Sequence, residues 1–125
     1  MSVLDHARDL LANHPRKCDE LAALACGWRV ERDRDGSQYW FRSDGRTVAA
    51  EPPPFVSHDQ RDPMRWLYRG NMIETLWADG WGIDGNQDDG HDWWLSHFGH
   101  DAIGDVSLPH ALFLALVVAG KVVIP

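Results

Sequence analysis

Leu4, Ala7, Leu10 and Leu11 recur at helical spacing, and Ser2 with Asp5 three residues on supplies a capping-box-like start. His14-Pro15 ends or kinks this helix, because proline disfavours a helical residue before it. Pro15 itself suits a first turn and opens a second helix that carries Leu21, Leu24 and Ala25 inward and stops at Gly27. From Trp28 the period falls to two. Trp28 to Arg32 alternates, Asp33 to Gly36 supplies a turn, and Gln38 to Arg42 is aromatic and strand-like. A second Asp-Gly turn at Gly45 precedes Thr47 to Ala50. Strands joined by Asp-Gly turns predict an antiparallel three-stranded meander, with Trp28, Val30, Tyr39 or Trp40, Phe41 and Val48 covering the helices.

Pro52 to Pro54 cannot continue a central strand, and Phe55 to Arg61 reads as loop. Asp62-Pro63 offers an N-cap and a first-turn proline for a helix that runs through Trp66 and Leu67, breaks at Gly70 and resumes to Trp77. Gly80, Gly82, Gly85 and Gly90 predict an irregular acidic loop, followed by one or two helical turns over His91 to Phe98. Ser107 caps a last helix, Leu108 to Ala119, which is apolar nearly all round and so predicted to be the central buried element. Val122 to Ile124 adds an edge strand or packs down, and no internal repeat or low-complexity linker is apparent. The expected fold is a single α+β domain over residues 1–125. In it a small three-stranded meander packs against N- and C-terminal helices, with an acidic, Trp-rich irregular insertion at about 78–106.

Two segments, Cys18 to Trp28 and Ser107 to Ala115, carry a family likeness. One is a helix ending in Gly-Trp before aromatic strands, and the other is a late apolar helix. In this the chain resembles the phage ABA-sandwich domain of small phage accessory proteins. The resemblance implies a phage or prophage origin and helix–sheet–helix layering, and it brings no catalytic residues.

Charge changes the picture most. Residues 1–70 hold eleven acids and eleven lysines or arginines, whereas Asn71 to Gly120 holds eight acids and no lysine or arginine. That stretch, with Lys121, accounts for the whole formal charge of −7. It also contains Trp77, Trp81, Trp93, Trp94 and Phe98. Acids interleaved with tryptophan point to a protein partner with a basic surface, and they disfavour direct contact with nucleic acid or anionic membrane. The residues singled out for that contact are Asp79, Trp81, Asp84, Asp88, Asp89, Asp92, Trp93 and Trp94, while Trp28, Trp40 and Trp66 are assigned to the core. The N-terminus lacks the basic and apolar regions of a secretory leader, and no apolar run approaches the ~20 residues of a membrane span. Cys18 and Cys26, roughly 12 Å apart along one helix, are read as reduced structural thiols, and a cytoplasmic setting is expected.

Two constellations suggest metal chemistry. Asp84, Asn86, Asp88 and Asp92 stand at positions 1, 3, 5 and 9 of a calcium-loop spacing, but Asp89 replaces its glycine and Leu95 its bidentate glutamate. His91, His97 and His100 with Asp92 and Asp101 have ligand chemistry suited to zinc, without a standard spacing. No phosphate-binding glycine motif is present, and His110 beside Pro109 reads as a satisfied core or helix-start histidine. No cofactor is implied. The leading reading is a non-enzymatic accessory protein that binds, and inhibits or redirects, a nucleic-acid-binding host protein such as a component of a defence system. A zinc or calcium hydrolase or metal-tuned module built on residues 84–101 is the alternative from enzymology, and a homodimer joined through the Trp-rich segment is the third.

Overall fold

The computed structural model describes residues 2–42, 44–46, 48–85, 93–105 and 107–125. Helix α1 (Val3–Asn13) starts as its sequence dictates. The Asp5 N–H donates to Ser2 Oγ at 3.1 Å, and the Ser2 N–H donates to the Asp5 carboxylate at 3.3 Å. Helix α2 (Pro15–Ala25) begins at Pro15, so there are two short helices here. The buried stripe of α2 is Cys18, Asp19, Ala22 and Ala23; Leu21 and Ala25 pack against the core at its edge as expected, while Leu24 is exposed, which corrects its inward assignment. Small side chains on that stripe let α2 approach its neighbours closely. Burial holds the Cys18 thiol up at about 12 and the Cys26 thiol up at about 11, so both are protonated, unpaired and unreactive.

The end of α2 fixes how the sheet begins. Gly27 has φ 89°, its N–H donates to Leu24 O at 3.2 Å, and the Trp28 N–H donates to Ala23 O at 3.0 Å. This Schellman closure turns Trp28 back under the helix, where it is 3% exposed. Strands β1 (Arg29–Arg32), β2 (Gln38–Phe41) and β3 (Val48–Ala49) then form the expected antiparallel meander, with Val30 opposite Trp40 and Trp40 opposite Ala49. Trp28 Nε1–H donates to Asn71 Oδ1 at 3.1 Å, and its ring meets Phe55 edge-on at 5.5 Å. These contacts dock the first meander on the segment that follows it.

Helix α3 (Arg65–Ala78) differs from expectation at both its start and its middle. Asp62 and Pro63 form a preceding turn in which Asp62 Oδ1 accepts the Met64 N–H at 2.8 Å, so the helix begins after it. The helix runs unbroken through Gly70, because neighbouring packing outweighs the ~1 kcal/mol helix penalty of one glycine. A Cβ placed at Gly70 meets nothing within 4 Å. Gly70→Ala is therefore expected to stabilise the fold by about 0.5–1 kcal/mol, read as a higher urea midpoint at unchanged slope.

The end of α3 repeats the end of α2. Gly80 has φ 89° and donates to Trp77 O at 3.0 Å, while the Trp81 N–H donates to Leu76 O at 3.0 Å. A second antiparallel meander follows, made of β4 (Gly82–Gly85), β5 (Trp93–His97) and β6 (His100–Asp105). Ile83 lies opposite Leu95 and Leu95 opposite Ile103, matching the Val30, Trp40, Ala49 row of the first. The chain thus contains the unit helix, Gly-Trp, meander twice, contrary to the expected absence of a repeat. It also corrects the expected irregular insertion, since the described residues within 82–105 are strands joined by a Phe98-Gly99 turn, with no helical turns over 93–98.

Helix α4 (Leu108–Val118) is buried along its whole circumference except at His110 and its last residue. It packs on α1, α2 and α3 and against β5 and β6, and is the central element that its composition predicts. Val122 packs down without forming a strand. No helix among the described residues is long and apolar enough to cross a membrane.

Candidate functional site

Alternation along β5 decides what its adjacent tryptophans do. Leu95 is fully buried and Trp93 packs against the same core, so the opposite face of the strand carries Trp94, which is 49% exposed. Each ring lies over a glycine of the neighbouring strand. A Cβ at Gly85 would sit 2.2 Å from the Trp93 ring, and one at Gly104 would sit 2.7 Å from the Trp94 ring. Gly85 pairs directly with Trp93 and Gly104 with Trp94, so the glycines make room for indoles that flatten onto the strands. The outer face carries Trp94 with Asp84 directly opposite it, set among Gly82, Ser96 and Gly104. Phe98, at the tip of the β5–β6 turn, is fully exposed, as is most of Trp77 near the end of α3. Glu74, Asp84 and Asp101 are exposed acids of the same α3–β6 segment.

The structure separates the residues that the sequence grouped. Trp81 is only 2% exposed and belongs to the core, which removes it from any contact surface. The Gly80 closure folds it inward, where its Nε1–H donates to Asp79 Oδ2 at 3.3 Å. Asp79 is half-buried at the C-cap of α3, 4.0 Å from Lys121 Nζ. Trp93 is half-buried and faces inward, while Trp94 and Asp84 face out. Asp88, Asp89 and Asp92 lie outside the described residues, as do Asn86 and His91, and with them most of the calcium-like spacing.

His97 and His100 sit on paired strands, with ring centroids 5.1 Å apart. His97 turns both nitrogens to carbonyl oxygens, Nδ1 to Phe98 O at 2.6 Å and Nε2 to Asp79 O at 2.8 Å. Trp81 stacks on His100 at 5.5 Å and lies 5.2 Å from His97. The pair ties the end of α3 to the β5–β6 turn. Among the described residues no three His, Cys, Asp or Glu side chains gather to hold a metal ion.

Trp66, expected in the core, is more than half exposed, with the guanidiniums of Arg65 and Arg69 5.9 and 5.2 Å from its ring. These arginines belong to a second, basic site that begins with Asp19. Fully buried on α2, Asp19 accepts the Val56 N–H at 2.7 Å, the Ser57 N–H at 2.8 Å and Ser57 Oγ–H at 2.5 Å. Burial raises the Asp19 carboxyl above its ordinary range, and those three donors pull it back. The clamp presents His58, whose Nδ1 faces Pro54 O at 3.0 Å and Phe55 O at 3.1 Å. With the proton placed on Nδ1 by those carbonyls, Nε2 accepts from Arg69 Nε at 3.0 Å. In the sequence, Arg65 and Arg69 were visible only as one helical turn of like charge. Nothing local marks Asp19 or the pairing of His58 with Arg69, since the partners lie 37 and 11 residues away.

Burial, with the nearby Arg69 charge, holds His58 below its ordinary value of 6.5, and the two carbonyls oppose this. Between that lowered value and 6.5 the unfolded chain binds more protons than the folded one, so stability rises with pH through the window. Acidification from pH 7 towards 5 is expected to destabilise the wild type through His58. His58→Asn, which keeps a donor for the carbonyls without a titrating group, should flatten that part of the profile, as followed by urea unfolding at a series of pH values.

The fold and these two surfaces define a small α+β protein with two helix–meander units. No protein family, curated protein or solved structure matches the chain.

Proposed function

We propose that this is a non-enzymatic binding protein whose second meander docks onto the basic, nucleic-acid-binding face of a partner protein. One observation carries the reading. Trp94 is held exposed on a strand directly opposite Asp84, and Phe98 on a tight turn followed by the exposed Asp101, in a stretch with no lysine or arginine of its own. Carboxylates there take the place of phosphates at the partner surface, and the rings fill its apolar or stacking spots. In the phage-type setting implied by the sequence resemblance, the partner is a host protein, and occupying its nucleic-acid groove inhibits or redirects it.

The test is a comparison. Tagged wild type and a Phe98→Ser/Asp84→Asn/Asp101→Asn variant are exposed to nuclease-treated bacterial lysate and eluted in salt steps. Phe98 is fully exposed, so its loss leaves the core untouched. A defined basic protein released from wild type at moderate salt and lost with the variant is the expected result. Replacing Phe98 alone should weaken that complex by about 2 kcal/mol if it fills a central pocket. Equal capture by both proteins removes the docking surface from this face. Capture of the protein alone, with size rising with concentration, replaces the partner by a second copy of the chain.

A further inference from the structure

On the side of the molecule where His58 meets α3, a cleft of about 510 Å³ opens between the 56–60 loop, the first turn of α3 and the start of α4. It is lined by Arg65, Arg69, His58, His110, Ser107 and Trp93 among others. In a chain of net charge −7 its lining carries two guanidiniums and no carboxylate among the described residues. Neither arginine has a carboxylate within ion-pair distance among the described residues. The acids at this end are bonded to backbone instead, Asp19 to Val56 and Ser57, Asp62 to Met64, and Asp105 to Ser107. Burial, with the like charge of Arg65 beside it, lowers the Arg69 guanidinium from its ordinary value.

Contacts within the fold position both arginines without neutralising their charge. His58 fixes Arg69 through Nε, leaving its two terminal nitrogens for the cleft, and the carbonyl of Asp62 holds one Arg65 nitrogen at 3.0 Å. Ser107, at the N-cap of α4 without its side chain capping the helix, also lines the cleft. Two guanidiniums match a dianion, and phosphate is the planar-fork partner they favour. A bare phosphate is far smaller than the cleft, whose size is that of a small-molecule site. Trp93 and Pro109 supply an apolar wall for the remainder.

We propose that this cleft binds a small phosphate monoester, its phosphate held between Arg65 and Arg69 and its organic part resting against Trp93. The site is independent of the acidic docking face. It is tested by titrating the intact protein with phenyl phosphate, inorganic phosphate and benzoate, read by calorimetry and by the amide resonances of Ser57, Ser107 and His110. Saturable one-to-one binding of phenyl phosphate is expected, with inorganic phosphate weaker and benzoate weaker still. Arg65→Gln, which leaves the His58–Arg69 bond in place, should weaken phenyl phosphate about tenfold. Arg69→Gln should do the same or more, and Arg29→Gln on β1 should change nothing. Absence of saturation by about 10 mM, or saturation unaffected by both cleft substitutions, overturns the site. Inorganic phosphate binding as tightly as the ester overturns the role of Trp93, and benzoate binding as tightly overturns the preference for phosphate.

Discussion

Asp19→Ala is expected to lower the unfolding free energy by about 3 kcal/mol or more. The carboxylate is fully buried and receives three hydrogen bonds, two from backbone N–H groups of Val56 and Ser57. Truncation leaves the buried Val56 N–H without a partner, at about 1–3 kcal/mol, and takes the acceptor from the part-buried Ser57 N–H and hydroxyl as well. It also frees the loop that presents His58, so the Arg69 side chain loses its anchor. Asp19→Asn keeps the shape and one acceptor oxygen, and should cost about 1 kcal/mol. Equilibrium urea unfolding of both variants measures the difference. Similar losses for the two would show that the hydrogen bonds contribute little and that volume alone matters.

Gly85→Val is the second large effect. Even a bare Cβ at Gly85 would stand 2.2 Å from the Trp93 ring, which is itself packed into the core, so the indole must leave its place or β4 must detach from β5. A loss of about 2–3 kcal/mol is expected, with a change in near-ultraviolet circular dichroism as Trp93 shifts. Gly104→Val crowds the Trp94 ring at 2.7 Å on the exposed face, where the indole can swing outward. Its stability cost should be smaller, but the geometry of the proposed docking face should be lost. Opposite behaviour of the two glycines would contradict the inward and outward assignment of the tryptophans.

The first half of the chain was legible because its signals are local. The Ser2–Asp5 capping box, Pro15, the Gly27 closure and the Asp-Gly turns each act within a few residues, and each element formed where they stand. Charge separation and the apolar circumference of α4 were equally direct. The second meander was missed because β4 and β6 are rich in glycine and aspartate, which disfavour strands locally. What makes them strands is cross-strand packing of Trp93 on Gly85 and Trp94 on Gly104, invisible until register is known. The repeat was hidden for the same reason. Gly27-Trp28 and Gly80-Trp81 recur as letters, but the buried centres Trp40 and Leu95 differ in type while occupying the same register. Trp66 and Trp81 exchanged their expected places because composition does not reveal direction, which for Trp81 the α3 closure at Gly80 sets. The basic site depended on contacts between α2, the 55–58 segment and α3, and no spacing rule in the sequence brings those together.

The measurement that bears most directly on the acidic aromatic face is the association rate with the captured basic partner at about 50 mM and about 500 mM salt. Electrostatic docking predicts a rate that falls by more than about tenfold at high salt. It also predicts that an Asp84→Asn/Asp101→Asn variant associates slowly even at low salt, with little change in dissociation. An association rate that is the same at both salt concentrations, for wild type and variant alike, would contradict the account.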